Sequence, residues 1–375
     1  MKILFTGGGT GGHFYPLIAV AQEIKQIVEE KKLIEPKFYL MADKPYNQRV
    51  LYENAIEFVP VSAGKLRHYI SIQNFFDLFR TAFGLVQALW KMYLIYPDVV
   101  FSKGGYASFP ALWAARILRI PIVIHDSDSV PGRVSKWSGK FAKRVALSYP
   151  EAAKFFDPNR TAVVGTPLRR EILHPFHEGA HEFLSLEPGV PVIFVVGGSQ
   201  GAVALNDIVI DILPELLENY QVIHQVGKNN IDDAKKRTGT ILAGHKHANR
   251  YKLFDYLNET ALRMTAGVAE LVITRAGSML YEIAQWNIPA IIIPIPEEVA
   301  HDQRTNALTY AASGAAIVIE EKNLTDSILR AEIERVFTDE VLLKKMKEGA
   351  KAFARPDAGR LIATEILNLA LEHES

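Results

Sequence analysis

Gly7-Gly8-Gly9-Thr10-Gly11-Gly12-His13 follows the apolar run Ile3-Leu4-Phe5 and leads into a helical pattern that begins near Pro16. Five glycines in six positions strip side chains from a strand-to-helix turn, so backbone N–H groups can approach a ligand closely. The helix N-terminus behind such a turn favours anionic or oxygen-rich groups. Gly7-x-Gly9-x-x-Gly12 also fits the dinucleotide fingerprint, a weak signal when it stands alone. A dinucleotide loop has no need of a histidine directly after its last glycine. A tight turn with an incidental surface histidine is the plain alternative.

Outward from this turn the same pattern repeats. Apolar runs at 2–6, 37–41, 57–61, 98–102, 121–125 and 145–148 read as strands, and 16–30, 74–93, 108–118 and 133–141 as helices. Short buried strands alternating with amphipathic helices indicate a parallel sheet covered on both faces. A last short strand at 162–165 leads to Thr166-Pro167, which reads as the crossover into a second domain. There the strands fall at 192–196, 221–225, 252–255, 271–274, 290–293 and 316–319. The helices between them fall at 202–218, 258–266, 279–285, 301–312 and 326–338. A helix at about 356–373, after Pro356, is expected to pack back on the first domain. The expectation is an α/β chain of two Rossmann-like, doubly wound domains, 1–166 and 167–355, with the ligand in an interdomain cleft.

The bulk properties agree. A length of 375 residues exceeds one usual core. The absence of cysteine excludes disulfides and thiolate metal sites and permits a cytosolic location. No uncharged apolar run reaches about 18 residues, so neither a signal peptide nor a membrane span is expected. The net charge of zero conceals an asymmetry. Residues 1–166 carry 21 Lys+Arg against 13 Asp+Glu, a net of +8, and the remainder carries the compensating −8. A basic first half suggests an anionic partner, nucleic acid or membrane, although two domains can also differ by chance.

Three further turns repeat the glycine signature. Val195-Val196-Gly197-Gly198-Ser199-Gln200-Gly201 offers Ser199 and Gln200 to phosphate or sugar oxygens, unless Ser199 is simply a helix cap. Thr274-Arg275-Ala276-Gly277-Ser278 is followed by Glu282, about one helical turn on, where a carboxylate can accept both hydroxyls of a ribose. Ser102-Lys103-Gly104-Gly105-Tyr106 ends a strand with paired glycines.

In chain order the motifs are GGGTGGH at 7–13, KGGYAS at 103–108, HDSDSVPGR at 125–133 and VVGTPLR at 163–169. GGSQGAVALN at 197–206, TRAGS at 274–278 with Glu282, and HDQRTNA at 301–307 complete the set. Over nearly its whole length the chain resembles the MurG family, peptidoglycan glycosyltransferases of GT-B fold. The resemblance implies an inverting hexosyltransferase that moves GlcNAc from UDP-GlcNAc to the C4 hydroxyl of MurNAc-(pentapeptide)-pyrophosphoryl-undecaprenol (lipid I). The product is lipid II, which links the chain to cell wall biogenesis, cell shape and cell division. The resemblance further implies no cofactor, no metal and no nucleic-acid partner, and a peripheral place at the cytoplasmic face of the inner membrane.

Carried over by motif, Thr10, Gly11, Gly12 and Asp128 contact the donor sugar. His13 is the family's candidate base, with Asp126 as the rival base or the group that orients the acceptor. Arg169 lies near the uridine diphosphate, and Ser199 and Gln200 hold phosphate. Gly277, Ser278 and Met279 cradle the diphosphate, Glu282 takes the ribose hydroxyls, Gln303 reads GlcNAc, and Phe254 offers its backbone to the uracil. Gly104, Gly105 and Tyr106 form the acceptor-side loop. Asp126-Ser127-Asp128 replaces the family's usual Glu-Gln-Asn. It has the form of a metal-binding D-x-D, but that motif serves a different glycosyltransferase fold, so the pair reads as acceptor-site polar residues. An unperturbed histidine titrates at about 6.5, and a helix N-terminus favours its neutral, proton-accepting form.

Residues 65–96 are rich in aromatic side chains. Phe75, Phe79, Val86 and Leu89 follow helical spacing and read as core. Ile70, Ile72 and Phe76 are apolar surplus beside Lys65, Arg67 and Arg80, and Arg133, Lys136, Lys140, Lys143 and Arg144 lie in a stretch without acids. An apolar patch ringed by Lys and Arg docks on anionic lipid, the alternative being a solvated basic helix. Three other readings compete: a non-catalytic lipid- or nucleotide-binding protein, a GT-B transferase with a different lipid or natural-product acceptor, and a dinucleotide-dependent oxidoreductase using Asp43 as its ribose ligand. The intact His13, Arg169 and Glu282 argue against the first. The oxidoreductase leaves His13, Gln303 and the second glycine turn without roles.

Overall fold

The computed structural model describes residues 1–64, 72–198, 201–297 and 303–374, and the side chains of 72–76, 78, 373 and 374 lie outside that description. The chain divides into two compact units, Met1–Arg170 with Arg355–Ser375, and Glu171–Ala354.

In chain order the first unit holds β1 (Lys2–Thr6), α1 (Gly11–Glu30), β2 (Lys37–Ala42), α2 (Gln48–Glu53), β3 (Ile56–Pro60), α3 (Ile72–Ile95) and β4 (Val99–Ser102). It continues with α4 (Phe109–Ile117), β5 (Ile122–Asp126), α5 (Arg133–Gly139), β6 (Arg144–Leu147) and β7 (Thr161–Val163). All seven strands are parallel, in the order β3-β2-β1-β4-β5-β6-β7. Ile3 and Phe5 of β1 face a core shared with Leu17 and Ile24 of α1, while Leu4 faces the opposite core with Leu112 and Ala115 of α4. Burial of each such side chain contributes roughly 1.5–3 kcal/mol, which is why the central residues of β1 are apolar on both faces.

The second unit holds α6 (Ala180–Phe183), β8 (Val192–Val196), α7 (Val203–Asp211), α8 (Leu213–Asn219), β9 (Gln221–Gln225), α9 (Ile231–Ile241) and β10 (Tyr251–Phe254). Then come α10 (Glu259–Val268), β11 (Ala269–Thr274), α11 (Met279–Trp286), β12 (Ala290–Ile292), α12 (Gln303–Ala312), β13 (Ala316–Val318), α13 (Asp326–Thr338) and α14 (Glu340–Phe353). Its parallel order is β10-β9-β8-β11-β12-β13. The last helix, α15 (Ala358–Glu374), returns to the first unit, where Ile362, Ile366 and Ala370 share the α1 core. An Arg360–Glu30 ion pair of 2.5 Å ties it to the end of α1.

Several elements depart from the sequence expectation. α1 starts at Gly11 because the Thr10 carbonyl already accepts from His13 N (3.2 Å) and Phe14 N (3.1 Å), which places His13 inside the first turn. The single helix expected at 202–218 is two, broken around Ile212 because Pro214 has no N–H to donate. α9 went unforeseen because only Ala234 and Thr238 of its chain are buried, too few for a periodic signal. The first unit continues past Thr166: Arg170 N donates to Gln22 Oε1 (3.4 Å), and the Arg169 guanidinium lies 4.0 Å from the centre of the Tyr15 ring.

α3 is the main correction. Phe79 and Val86, expected in the core, are exposed, and with Phe83, Trp90 and Tyr93 they form a stripe, each residue at least 60% exposed. The packed face carries Gly84, Ala88 and Met92 instead. A Cβ on Gly84 would fall 1.7 Å from the Ser62 carbonyl, so close approach of backbone selects the small residues and turns the large ones outward. Lys65, Arg67 and Ile70 lie outside the described residues, as do the side chains of Ile72, Phe75 and Phe76. Among the described residues no helix is long and apolar enough to cross a membrane.

Candidate functional site

Strand order reverses between β1 and β4 in one unit and between β8 and β11 in the other. At such points the turns leaving the carboxyl ends of the strands diverge and leave room for a ligand. Thr6 pairs with Ser102 and Val196 with Thr274, so each unit brings two of its glycine turns side by side.

In the first unit, a side chain on Gly9, whose φ is +92°, would meet the Tyr106 ring at 3.5 Å. The Tyr106 hydroxyl donates to Asp43 Oδ2 (3.3 Å), so the residue a dinucleotide enzyme would turn to ribose is engaged in fixing Tyr106. His13 is half-buried, with Nδ1 2.9 Å from Thr10 Oγ1. Its Nε2 edge faces Gly105, where an added Cβ would stand 3.6 Å from Nε2 in a backbone at φ +80°. The tautomer that donates Nδ1–H to Thr10 leaves the Nε2 lone pair open on that side. Burial, and after it the positive charge of Lys103, lowers the His13 pKa to about 4, so the ring is neutral at physiological pH.

Asp126 is buried at the end of β5. Its Oδ1 accepts from Asp128 N (3.1 Å) and its Oδ2 from Gly132 N (3.3 Å), so this carboxylate shapes the 127–132 turn. Asp128 itself is half-buried. Beside Gly105 and Tyr106 opens a largely apolar cavity of about 380 Å³, walled by Phe109, Pro110, Val134 and Trp137, with Arg133 as its charged group.

In the second unit, Thr274 Oγ1 donates to the Val196 carbonyl (2.9 Å), joining the two turns. Gly198 takes φ +89°, and Gly277 has no atom within 4 Å of a would-be Cβ, so both expose backbone. Ser199 and Gln200 lie outside the described residues, as do His301 and Asp302. Ser278 precedes α11 without capping it through its side chain, Met279 opens the helix, and Glu282 stands half-buried in the first turn. Gln303 Oε1 accepts from Ile295 N (3.3 Å), which fixes the start of α12. The Phe254 carbonyl accepts from Val226 N (3.0 Å), so only its second lone pair is open to another donor.

Three residues outside the expected set organise these turns. Gln225 accepts from Leu257 N (2.9 Å) and donates to the Gly198 carbonyl (3.4 Å). Arg275 donates to the Ile293 carbonyl (2.9 Å) and pairs with Glu321 (2.6 Å). Lys103 is buried beneath the first glycine turn. The signal for Lys103 was a charged residue directly after the strand Val99–Ser102, whereas Gln225 was hidden in a strand that also carries Gln221 and His224.

The glycosyltransferase family 28 N-terminal domain matches residues 3–147, and the glycosyltransferase family 28 C-terminal domain matches residues 192–362. The chain belongs to glycosyltransferase family 28. Over 359 residues it is 32% identical to the UDP-N-acetylglucosamine--N-acetylmuramyl-(pentapeptide) pyrophosphoryl-undecaprenol N-acetylglucosamine transferase of Clostridium botulinum (strain Loch Maree / Type A3), covering 93% of this chain and 96% of that one. The Lachnospira eligens protein of the same name is 34% identical over 340 residues, 90% of this chain and 91% of the other. Among solved structures, Acinetobacter baumannii MurG superposes with a TM-score of 0.71 at 24% identity, covering 98% of this chain and 99% of that one. The two parallel sheets of this family 28 chain thus have the GT-B fold expected from its motifs.

Proposed function

We propose that this family 28 enzyme transfers GlcNAc from UDP-GlcNAc to the C4 hydroxyl of MurNAc-(pentapeptide)-pyrophosphoryl-undecaprenol, forming lipid II with inversion at the anomeric carbon. Relatives bearing the name of this activity, similar over nine-tenths of the chain, support the reading. The observation that carries the mechanism is His13: a neutral imidazole at a helix N-terminus with its Nε2 edge open beside Gly105. The C4 hydroxyl gives its proton to Nε2 while its oxygen bonds to the anomeric carbon. The bond from that carbon to the UDP oxygen breaks, and UDP leaves with the electron pair.

Gly104, Gly105 and Tyr106 seat the acceptor, and Asp126 orients it through the turn it shapes. Thr10, Gly11, Gly12 and Asp128 meet the transferred sugar, with Arg169 near the uridine diphosphate. On the second unit Ser199, Gln200, Gly277, Ser278 and Met279 hold the diphosphate, where backbone N–H groups stabilise the leaving charge. Glu282 takes the ribose, Phe254 the uracil and Gln303 the GlcNAc hydroxyls.

The acceptor's lipid gives the exposed α3 stripe a purpose. Phe79, Phe83, Val86, Trp90 and Tyr93, with exposed Arg80, Arg133, Lys140 and Lys143, fit an anionic bilayer at the cytoplasmic face of the inner membrane. Arg144 is paired with Glu365 (2.5 Å), and Lys136 lies 4.2 Å from the centre of the Phe155 ring. Lipid II supply links the enzyme to cell wall growth, cell shape and division.

The test is UDP release by purified protein with UDP-GlcNAc and a lipid I analogue. Release should require the acceptor, and His13→Ala should lower kcat about 10²–10⁴-fold with little change in KM for UDP-GlcNAc. Binding of NAD without binding of UDP would overturn the assignment, and unchanged turnover in His13→Ala would move the base to Asp126.

A further inference from the structure

We propose that Tyr15 is a positioning residue for the leaving group, its ring holding the Arg169 guanidinium where that cation meets the diphosphate. The central carbon of the guanidinium lies 4.0 Å from the centre of the Tyr15 ring. Both side chains are half-buried, so water does not fully screen the attraction between cation and ring. A guanidinium resting on a ring still directs N–H donors from its edge, and those donors fit phosphate oxygens. The ring thus fixes the arginine without consuming the chemistry that an anion needs.

The ring itself is held by the turn that presents His13. A Cβ on Gly11 would fall 3.4 Å from Cδ2 and Cε2 of Tyr15 and 3.1 Å from the Tyr46 hydroxyl, so the ring lies against bare backbone at the start of α1. Tyr46 meets it edge-on, with ring centres 5.8 Å apart and planes at 80°, and Phe14 does so at 5.4 Å and 68°. The arginine side is anchored as well. Arg170, the next residue, donates its backbone N–H to Gln22 Oε1 (3.4 Å) and pairs its guanidinium with Glu23 (3.7 Å). Gln22 and Glu23 stand two turns of α1 beyond Tyr15, so the 169–170 segment runs along one face of that helix. His13 precedes Tyr15 on the same helical turn. One rigid turn therefore carries both the candidate base and the platform for the cation that meets the leaving group. These serve opposite ends of an in-line displacement, and a shared support sets them together.

This rests on the proposed placing of Arg169 near the uridine diphosphate, and the test separates the two. Binding of UDP and of uridine is measured by calorimetry in wild type, Tyr15→Leu, Tyr15→Phe, Arg169→Ala and the double variant Tyr15→Leu/Arg169→Ala. In one more variant trifluorophenylalanine replaces Tyr15, which keeps a ring in place while removing the negative charge of its face. Tyr15→Leu should weaken UDP about three- to tenfold, leave uridine unchanged, and add nothing in the Arg169→Ala background. Tyr15→Phe should bind as wild type does, and the fluorinated ring should repeat the loss seen with leucine. UDP binding unchanged or tighter in Tyr15→Leu, an equal loss for uridine, a full further loss in the Arg169→Ala background, or indifference to fluorination overturns the role of Tyr15. If Arg169→Ala binds UDP as tightly as wild type, Arg169 does not meet the diphosphate, and the proposal falls with that placing.

Discussion

His224, with no exposed surface, links β9 to its neighbours: its Nδ1 lies 3.1 Å from the Tyr251 hydroxyl and its Nε2 3.2 Å from Asn206 Oδ1. Asn206 in turn donates to the Val226 carbonyl (3.0 Å), next to the residues that meet Gly201. Burial lowers the His224 pKa to about 3. In the unfolded chain it titrates near 6.5, so between pH 6.5 and 3 the unfolded state binds a proton that the folded state refuses. Stability must therefore fall as pH falls through that window, by on the order of a few kcal/mol at its lower end. His13 acts in the same direction, but less, because it is only half-buried. Urea midpoints measured at pH 7 and pH 4.5 should differ markedly in wild type and less in His224→Gln. Equal differences would remove His224 as a source of acid sensitivity. The sequence presented this histidine only as one letter in the mixed strand Gln221–Gln225, because the side chains that meet it come from α7 and β10.

Among the elements, α3 shows how far periodicity reaches. Its apolar residues announced a helix correctly, and the choice of buried face followed from glycine instead. Gly84 against the Ser62 carbonyl, and Gly64, whose Cβ would fall 2.1 Å from the Asp77 carbonyl, draw the backbones together and send Phe79, Phe83 and Trp90 outward. Burying one aromatic ring in a bilayer is worth roughly 1.5–3 kcal/mol, so Phe83→Glu or Trp90→Glu should weaken sedimentation with anionic phosphatidylglycerol vesicles about tenfold or more. UDP release with a water-soluble acceptor analogue should be unchanged in both variants. Full vesicle binding by the double variant would assign the stripe to another partner. α1 teaches the converse lesson. Its glycine turn was plain in the sequence, but the two hydrogen bonds accepted by the Thr10 carbonyl draw the helix start back to Gly11. The helix dipole thus acts on His13 itself.

For the molecule as a whole, the last residues of the chain complete the core of the first unit. Ile366 has no exposed surface and shares its cluster with Leu17 and Ile24 of α1. Ile366→Ala should cost about 2–5 kcal/mol in urea unfolding, because α1 and β4, against which α15 packs, limit how far the cavity can collapse. A variant as stable as wild type would show that α15 is not part of the folded core. The charge asymmetry also acquires meaning at this scale. The basic N-terminal half carries the exposed arginines and lysines around α5 as well as the aromatic stripe of α3, the two features on which the proposed membrane docking rests.

The alternation of strand and helix, the four glycine turns and their order along the chain belong to the sequence alone, because apolar periodicity and the freedom of glycine are local properties. They were enough to read two doubly wound sheets and to single out His13, Tyr106 and Glu282. Strand order belongs to the tertiary structure: only the reversal between β1 and β4 sets Gly7 beside Lys103, and only that between β8 and β11 sets Val196 beside Thr274. Burial belongs there too. A lysine under a glycine turn, a glutamine joining Gly198 to Leu257, and a helix that turns its aromatic face outward each depend on atoms supplied by distant parts of the chain. No local pattern encodes which of those atoms will arrive.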